Sequence, residues 1–129
     1  MSIAAKILVV DNRWFLRHSV CLLLADQSDW DVYGAESGKV ALDRIQEVEP
    51  DVVVLAVLMT EMNGLEAASK IRKLSPETRV IFMSSQYTPL EAAIITRLFG
   101  GSFVQKCELA TELIPTINRL LPPASQIPS

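Results

Sequence analysis

Short apolar runs alternate along the chain with longer segments in which apolar residues recur at helical spacing. Apolar runs of about four to eight residues favour strands, whereas recurrence every three to four residues favours helices. The runs predict five strands, at residues 6–10, 30–35, 50–56, 79–84 and 102–104. The helical patterns predict five helices, at about residues 13–26, 38–48, 64–74, 89–99 and 108–121.

The middle strand is the most apolar of the five, because no polar residue interrupts it after Asp51. Such a run is typical of a parallel strand that is buried on both faces. Asn63 and Gly64 then turn the chain into the third helix. The strand ends at Ala56, so a methyl group stands where a reactive side chain could have projected from its tip.

Helical spacing also predicts which faces of the helices are buried. On the first and third helices the expected buried residues are Leu16, Val20, Leu23, Leu24, Leu65, Ala68, Ile71 and Leu74. Trp14 is expected to be partly buried over the first helix, and His18 to face solvent. The fourth helix has more apolar residues than one buried face requires, and these are Leu90, Ile94, Ile95, Leu98 and Phe99.

Five strand–helix units predict an α/β domain with one parallel sheet covered by helices on both faces. For this length we expect the doubly wound, flavodoxin-like strand order 2-1-3-4-5. Ligands of such sheets bind beyond the carboxyl ends of the strands, here between strands one and three. The residues that this topology gathers there are Asp11, Asn12, Ala56, Ser84 and Lys106.

Composition limits the domain count and the surroundings of the protein. With 129 residues, half of them apolar, the chain is expected to form one domain at residues 1–121, followed by a Pro-rich tail or linker at 122–129. The longest apolar run falls short of the roughly 18 residues of a membrane span, so we expect no membrane association and a cytoplasmic location. Two cysteines are too few for a disulfide framework. A net charge of -3 without a basic stripe argues against nucleic-acid binding by this domain alone.

The strand ends carry motifs in a recognisable order and spacing. The motifs are Lys6-Ile-Leu-Val-Val-Asp11-Asn12, Pro50-Asp-Val-Val-Val-Leu-Ala56, Val80-Ile-Phe-Met-Ser84-Ser85 and Phe103-Val-Gln-Lys106. Together they resemble the CheY-like receiver domain of two-component response regulators. The resemblance extends over about residues 5–121.

The resemblance assigns a role to each residue of the predicted crevice. The family ends its first strand with a pair of acids, and here the pair is Asp11 and Asn12. It ends its third strand with an aspartate that accepts phosphate from a histidine kinase, and here that position holds Ala56. The family's phosphoryl-binding hydroxyl and lysine correspond to Ser84 and Lys106. The chain therefore resembles a degenerate receiver, with alanine at the phosphoacceptor position.

The resemblance also implies a magnesium site and a switch. The family holds Mg²⁺ with its acids and one backbone carbonyl, so the remnant ligand positions are Asp11, Asn12 and Leu58. With one carboxylate left, we expect Mg²⁺ binding to be weak or absent, and no other cofactor. Asp11 and Lys106 are then expected to form an ion pair in a crevice of near-zero net charge. Phe103 corresponds to the aromatic residue that changes rotamer on activation.

These expectations favour a signalling domain that is not phosphorylated at the usual site and is not an enzyme. It would act as an interaction or dimerisation module, with a protein partner or a second copy bound to the face formed by helix four, strand five and helix five. One alternative is a phosphotransfer receiver with another acceptor, of which Glu61 is the candidate. Another is an engineered acceptor knock-out, although further departures at Asn12, Thr60 and Phe99 favour natural loss.

Overall fold

The computed structural model describes residues 4–27 and 29–122. Of the predicted tail, all but Pro122 lies outside the described residues. The strands are β1 (Ala5–Val10), β2 (Trp30–Ala35), β3 (Val52–Ala56), β4 (Arg79–Ser84) and β5 (Ser102–Gln105). The helices are α1 (Trp14–Ala25), α2 (Gly38–Val48), α3 (Gly64–Leu74), α4 (Pro89–Phe99) and α5 (Leu109–Leu120).

The five strands form one sheet in the order β2-β1-β3-β4-β5, and every neighbouring pair is parallel. This confirms the predicted topology. In the register of the sheet, Ile7 of β1 lies beside Val52 of β3, and Ala56 of β3 lies beside Met83 of β4. The ends of β1, β3 and β4 therefore meet at one edge, where the site was predicted.

Helices cover the sheet on both faces, and β3 contributes to both cores. Val52, Val54 and Ala56 belong to a cluster that includes residues of α1 and α5. Val53 and Leu55 belong to the opposite cluster, with residues of α2, α3 and α4. Every residue of β3 is fully buried, as its continuous apolar run predicts.

Side-chain caps begin three of the helices at the predicted residues. Ser37 accepts a hydrogen bond from the N–H of Val40, and Asn63 accepts one from Glu66. Thr88 and Glu91 form a reciprocal capping box ahead of α4. Each such cap stabilises its helix by about 1 kcal/mol, so these residues fix where α2, α3 and α4 start.

Two glycines permit backbone arrangements that other residues would not. A Cβ at Gly64 would lie 2.1 Å from the carbonyl oxygen of Ala56, so only glycine allows α3 to start this close to the end of β3. Gly100 ends α4 with a φ of 76°, beside the Arg72 side chain. Arg72 donates a hydrogen bond to the carbonyl of Phe99 and so satisfies the end of this helix.

The structure corrects three expectations about the helices. Leu74 is 49% exposed, because the buried face of α3 ends at Ile71 and the last turn extends beyond the core. Leu23 is only partly buried on α1. The last helix begins at Leu109 rather than Glu108, because a 3₁₀ turn at Lys106–Glu108 connects β5 to α5.

Candidate functional site

A cleft of about 310 Å³ opens at the carboxyl ends of β1, β3 and β4. Its lining residues are Asn12, Arg13, Leu58, Met59, Thr60, Ser84, Ser85, Gln86 and Lys106. The predicted crevice residues Asn12, Ser84 and Lys106 are therefore brought together. Asp11 is fully buried beside them, whereas Ala56 is absent from the lining and belongs to the apolar core.

Asp11 is the first residue after β1 and the only fully buried carboxylate among residues 4–27 and 29–122. Its Oδ1 accepts hydrogen bonds from the backbone N–H of Arg13 at 2.9 Å and from the Arg13 Nε at 3.4 Å. Its Oδ2 lies 3.2 Å from Nη2 of Arg13 and 3.9 Å from Nζ of Lys106. The predicted ion pair with Lys106 is confirmed, but Arg13 makes the closer contact.

Arg13 is a residue of the cleft that the sequence did not lead us to expect there. It lies two residues after Asp11, in the loop that leads into α1, and its side chain is 52% exposed. Its presence corrects the expected charge of the crevice, because one carboxylate now faces two cations. The Asp-x-Arg spacing was a possible signal, since a backbone turn at the end of a strand brings these two side chains together.

Arg17 stabilises the same loop from α1. Its Nη1 donates a 2.8 Å hydrogen bond to the backbone carbonyl of Asp11. The backbone N–H of Asp11 donates to the carbonyl of Ala35 at 3.2 Å, which continues the pairing of β1 with β2 by one residue. Both backbone polar groups of Asp11, its carbonyl and its N–H, are therefore hydrogen-bonded.

Ser84 and Phe103 lie on the two neighbouring strands β4 and β5. Ser84 is buried at the end of β4, and its Oγ accepts a 3.1 Å hydrogen bond from the N–H of Gln86. Phe103 is half-buried, and its ring meets that of Tyr87 edge to face at a centroid distance of 6.2 Å. Gln105 donates to the Tyr87 carbonyl at 3.1 Å. The loop after β4 is therefore joined to β5 by one polar and one aromatic contact.

The remnant ligand positions do not fit Mg²⁺. This ion favours several oxygen ligands, usually with carboxylates among them. Asp11 supplies one carboxylate, and both of its oxygens already contact Arg13. Asn12 offers only an amide, and Ala56 has no side-chain oxygen. Within the described part of the chain, no group of three or more His, Cys, Asp or Glu residues could hold a metal ion.

Other candidates lie outside this cleft. Glu61 is exposed in the loop after β3 and has a left-handed φ of 66°. Trp14 is 63% exposed and stacks on His18 at 5.1 Å, so its predicted partial burial is wrong. His18 is solvent-exposed, as predicted.

The fourth helix exposes an apolar stripe, which we call the α4 stripe. Leu90 is 72% exposed, Ile94 48% and Leu98 71%, whereas Ile95 is buried. A second cleft, of about 490 Å³, lies between α4 and α5 above β5. The excess of apolar residues predicted for this helix is therefore mostly at the surface.

No helix in the described ranges is long and apolar enough to cross a membrane.

The parallel sheet and its crevice, with an acid, a hydroxyl and a lysine at the ends of three different strands, define a receiver-type signalling domain. Residues 7–118 match the family model of the response regulator receiver domain. The chain belongs to this family, and it is a receiver domain of two-component signalling.

Curated relatives and solved structures agree with this assignment. The response regulator protein VraR of Staphylococcus saprophyticus is 30% identical over 115 residues, which are 88% of this chain and 55% of the relative. VraR of Staphylococcus aureus strain NCTC 8325 is 36% identical over 121 residues, with the same two coverages. The chain thus spans about half the length of the curated relatives it matches.

Two solved structures illustrate how closely the fold is shared. The chemotaxis protein CheY4 of Vibrio cholerae gives a TM-score of 0.82 at 26% identity, over 92% of this chain and 99% of that one. The response regulator domain of Thermotoga maritima CheB gives 0.79 at 28% identity, over 97% and 99%. Both likenesses extend over nearly the whole chain, including the strands that form the crevice.

Proposed function

We propose that this receiver domain signals without being phosphorylated at the usual position and is not an enzyme. The observation that carries the proposal is Ala56, which ends β3 as a fully buried methyl group packed in the apolar core. Phosphoryl transfer requires a nucleophilic oxygen in line with the donor. The end of β3 supplies no such oxygen.

The neighbouring residues do not replace the missing nucleophile. The Ser84 hydroxyl accepts a hydrogen bond from a backbone N–H, and a serine hydroxyl needs an adjacent base to attack phosphorus. Asp11, the buried acid of the site, has both oxygens engaged by Arg13. An arginine in that position also opposes the dication that phosphoryl transfer uses.

The α4 stripe supports a role in protein interaction. Three large apolar side chains at intervals of four residues form one exposed row on α4. Contiguous exposed apolar surface of this kind marks interaction sites in soluble domains. We infer that the face of α4, β5 and α5 binds a protein partner or a second copy of this chain.

The free thiols of Cys21 and Cys107 are consistent with the cytoplasmic location that we propose.

Phosphorylation is tested by incubating the protein with acetyl phosphate and Mg²⁺ and measuring its intact mass. The expected result is no phosphate adduct on the unmodified chain. The Ala56→Asp variant is the matched comparison, because it restores an oxygen at the end of β3. An acid-labile or base-labile adduct on the unmodified chain would overturn the proposal, and its loss in Glu61→Gln would identify the alternative acceptor.

The interaction face is tested separately by size-exclusion chromatography with light scattering. We expect Leu90→Gln combined with Leu98→Gln to reduce self-association or partner binding. Leu22→Gln combined with Leu74→Gln is the control, because these leucines are also exposed but lie on α1 and α3. Equal behaviour of the two double variants would contradict a role for the α4 stripe.

A further inference from the structure

A separate cleft lies at the opposite edge of the sheet from the crevice, where β4 and β5 begin. It has a volume of about 390 Å³ and lies between Arg72 near the end of α3, Arg79 at the start of β4, Phe99 at the end of α4 and Leu120 at the end of α5. We propose that this basal cleft binds a small organic carboxylate that has an apolar body. The inference goes beyond the proposed function, because it rests on neither the position of Ala56 nor the α4 stripe.

A glycine lets the chain pass close to β4 at one wall of the basal cleft. Gly101 lies between α4 and β5 and has a left-handed φ of 81°. A Cβ at this position would lie 2.4 Å from the carbonyl oxygen of Val80, so only glycine permits the approach. Val80 and Ser102 belong to the paired strands β4 and β5 and line the same cleft. This wall is therefore formed before a ligand arrives, which reduces the cost of binding.

The charges of the described residues that line the basal cleft are positive. Arg72 and Arg79 contribute guanidinium groups, and the described lining contains no aspartate or glutamate. Asp51 and Glu77 border a neighbouring cleft together with Arg79, but within residues 4–27 and 29–122 neither forms an ion pair with it. A concave site with charges of one sign attracts ligands of the opposite sign, here anions.

The ends of three helices adjoin the basal cleft and oppose an anion, because the carboxyl end of a helix carries about half a unit of negative charge. Each end is offset by cations in its last turn, which are Arg72 and Lys73 on α3, Arg97 on α4 and Arg119 on α5. Arg72 also donates a hydrogen bond to the carbonyl of Phe99 at the end of α4. Arg79 belongs to a strand instead, so its charge is left for a ligand.

Arg79 also has the donors that a carboxylate needs. Its backbone N–H donates to the carbonyl of Asp51 at 3.0 Å, which anchors the residue at the start of β4. Its guanidinium has no hydrogen-bond acceptor anywhere in the described ranges. A guanidinium binds a carboxylate through two parallel N–H groups, a geometry that an ammonium does not offer. We therefore expect Arg79 to hold the carboxylate and Arg72 to add a second positive charge.

The rest of the lining favours an apolar body on the ligand. Ala68 is buried, and the larger side chains of Val80, Phe99 and Leu120 are half-buried. Covering these side chains stabilises a complex in proportion to the apolar area removed from water. The volume of about 390 Å³ lies within the range of small-molecule sites, and it equals roughly thirteen waters at about 30 Å³ each. A carboxylate with a six-membered ring or a short chain fits this space.

The test is an amide NMR titration with sodium benzoate and, separately, with sodium hexanoate, at constant ionic strength. We expect saturable shifts with at least one probe, confined to residues of the basal cleft such as Val80, Gly101 and Ser102. The tighter probe shows whether the site prefers a ring or a chain. Shifts that do not saturate with either probe, that spread evenly over the chain or that are confined to the crevice around Lys106 would overturn the proposal.

Comparison compounds separate the two parts of the ligand. The amide of the tighter probe keeps the apolar body without the charge, and acetate keeps the charge without the body. Each should bind about tenfold or more weakly, because a charge-assisted hydrogen bond or the burial of an apolar group is lost. An amide that binds as tightly as its acid would overturn the requirement for an anion. Acetate that binds as tightly, or inorganic phosphate that binds more tightly, would overturn the proposed ligand class.

Variants assign the binding to the basal cleft. Arg79→Gln should weaken binding of the tighter probe about tenfold or more. Lys73→Gln is the matched control, because it removes an equal charge from the exposed last turn of α3 and lies outside the lining of the cleft. Equal affinities of Arg79→Gln and the unmodified chain would overturn the proposal, and circular dichroism verifies that each variant is folded. These readouts depend on neither phosphorylation nor association, so they separate this inference from the proposed function.

Discussion

The guanidinium of Arg13 contacts both oxygens of the buried Asp11 carboxylate, at 3.4 Å to Oδ1 and 3.2 Å to Oδ2. The two residues are separated only by Asn12, so the contact forms within one turn of the backbone. An arginine in this place neutralises the acid that a metal would need. Asp11 and Lys106 alone would balance, so this one side chain gives the crevice its excess of positive charge.

The first prediction concerns magnesium. The combined variant Asn12→Asp and Ala56→Asp should bind Mg²⁺ more tightly than Ala56→Asp alone, because it adds a third carboxylate to that of Asp11 and the one introduced at position 56. Adding Arg13→Gln should strengthen binding again, by about tenfold or more, because a cation about 3 Å from Asp11 opposes the ion. Calorimetric titration measures all three variants.

The same series has a clear contrary outcome. Arg97→Gln in the same background removes an equal charge from α4 and should have no effect on Mg²⁺ binding. Tight binding of Mg²⁺ by the unmodified chain would contradict the conclusion that the remnant ligand positions do not fit this ion. An equal affinity with and without Arg13 would contradict the role of the guanidinium.

The second prediction concerns stability. Asp11→Asn removes the carboxylate that faces Arg13 and the mostly buried Lys106, and leaves both cations uncompensated. Breaking a buried pair costs about 3–5 kcal/mol, and the half-exposure of Arg13 reduces our expectation to about 2 kcal/mol. Urea denaturation measures this loss in the free energy of unfolding.

A surface pair provides the comparison. Lys70 and Glu66 form an exposed pair at 3.6 Å on α3, and Lys70→Gln should cost less than about 0.5 kcal/mol. If both variants lost the same small amount, the Asp11 cluster would carry no special stability.

The fold was predictable because its signals are local. Residues 50–56 have no polar interruption, and Ser37 and Thr88 begin helices with caps that depend only on their nearest neighbours. A parallel order then follows from the helices between successive strands. Asp11, Ser84 and Lys106 could be placed in one crevice for the same reason, since each lies at or directly after the end of a strand.

The missed features depend on side-chain direction and on the ends of helices. Arg13 is long and half-exposed, so its spacing from Asp11 does not show whether it turns toward the acid or toward water. Trp14 and Leu74 are large and apolar, which favours burial on average. Both lie in terminal turns of their helices, at the start of α1 and at the end of α3, and helical periodicity does not show whether a terminal turn is covered by the rest of the protein.

The third prediction concerns the start of α4. Backbone and side-chain hydrogen bonds with Thr88 hold the pKa of the Glu91 carboxyl below its ordinary value of 4.5. A depressed pKa means that the stabilisation is fully present above pH 4.5 and is lost as the pH falls through the folded value. Thr88→Ala removes the hydroxyl but keeps the backbone N–H, which is the larger cause, so it should raise the pKa of Glu91 only part of the way toward 4.5, as NMR titration of its carboxyl carbon would show. An unchanged pKa in that variant would contradict a contribution from the Thr88 hydroxyl.

The fourth prediction concerns the two cysteines. Burial raises the pKa of the Cys21 thiol above its ordinary value of 9.0, and the nearby Arg17 partly offsets this. Because the thiolate is the reactive form, iodoacetamide at pH 8 should alkylate the exposed Cys107 before Cys21. Arg17→Gln should raise the pKa of Cys21 further and slow its alkylation. Mass spectrometry of digested samples follows both sites, and faster labelling of Cys21 in that variant would contradict the assignment.

The last prediction concerns the contact between Tyr87 and Phe103. Their rings meet edge to face at 88°, an arrangement that contributes about 0.5–1.5 kcal/mol beyond the area it buries. A double-mutant cycle with Tyr87→Leu and Phe103→Leu should give a coupling free energy in this range. Trp14→Leu is the control, because Trp14 is exposed on α1 and its effect should add to that of Phe103→Leu within about 0.5 kcal/mol.

Since Ala56 offers no oxygen to modify, acetyl phosphate with Mg²⁺ should leave the NMR resonances of the Phe103 ring unchanged. A coupling near zero would contradict a stabilising contact between the two rings, and a Phe103 ring that responds to acetyl phosphate would contradict the proposed absence of phosphorylation.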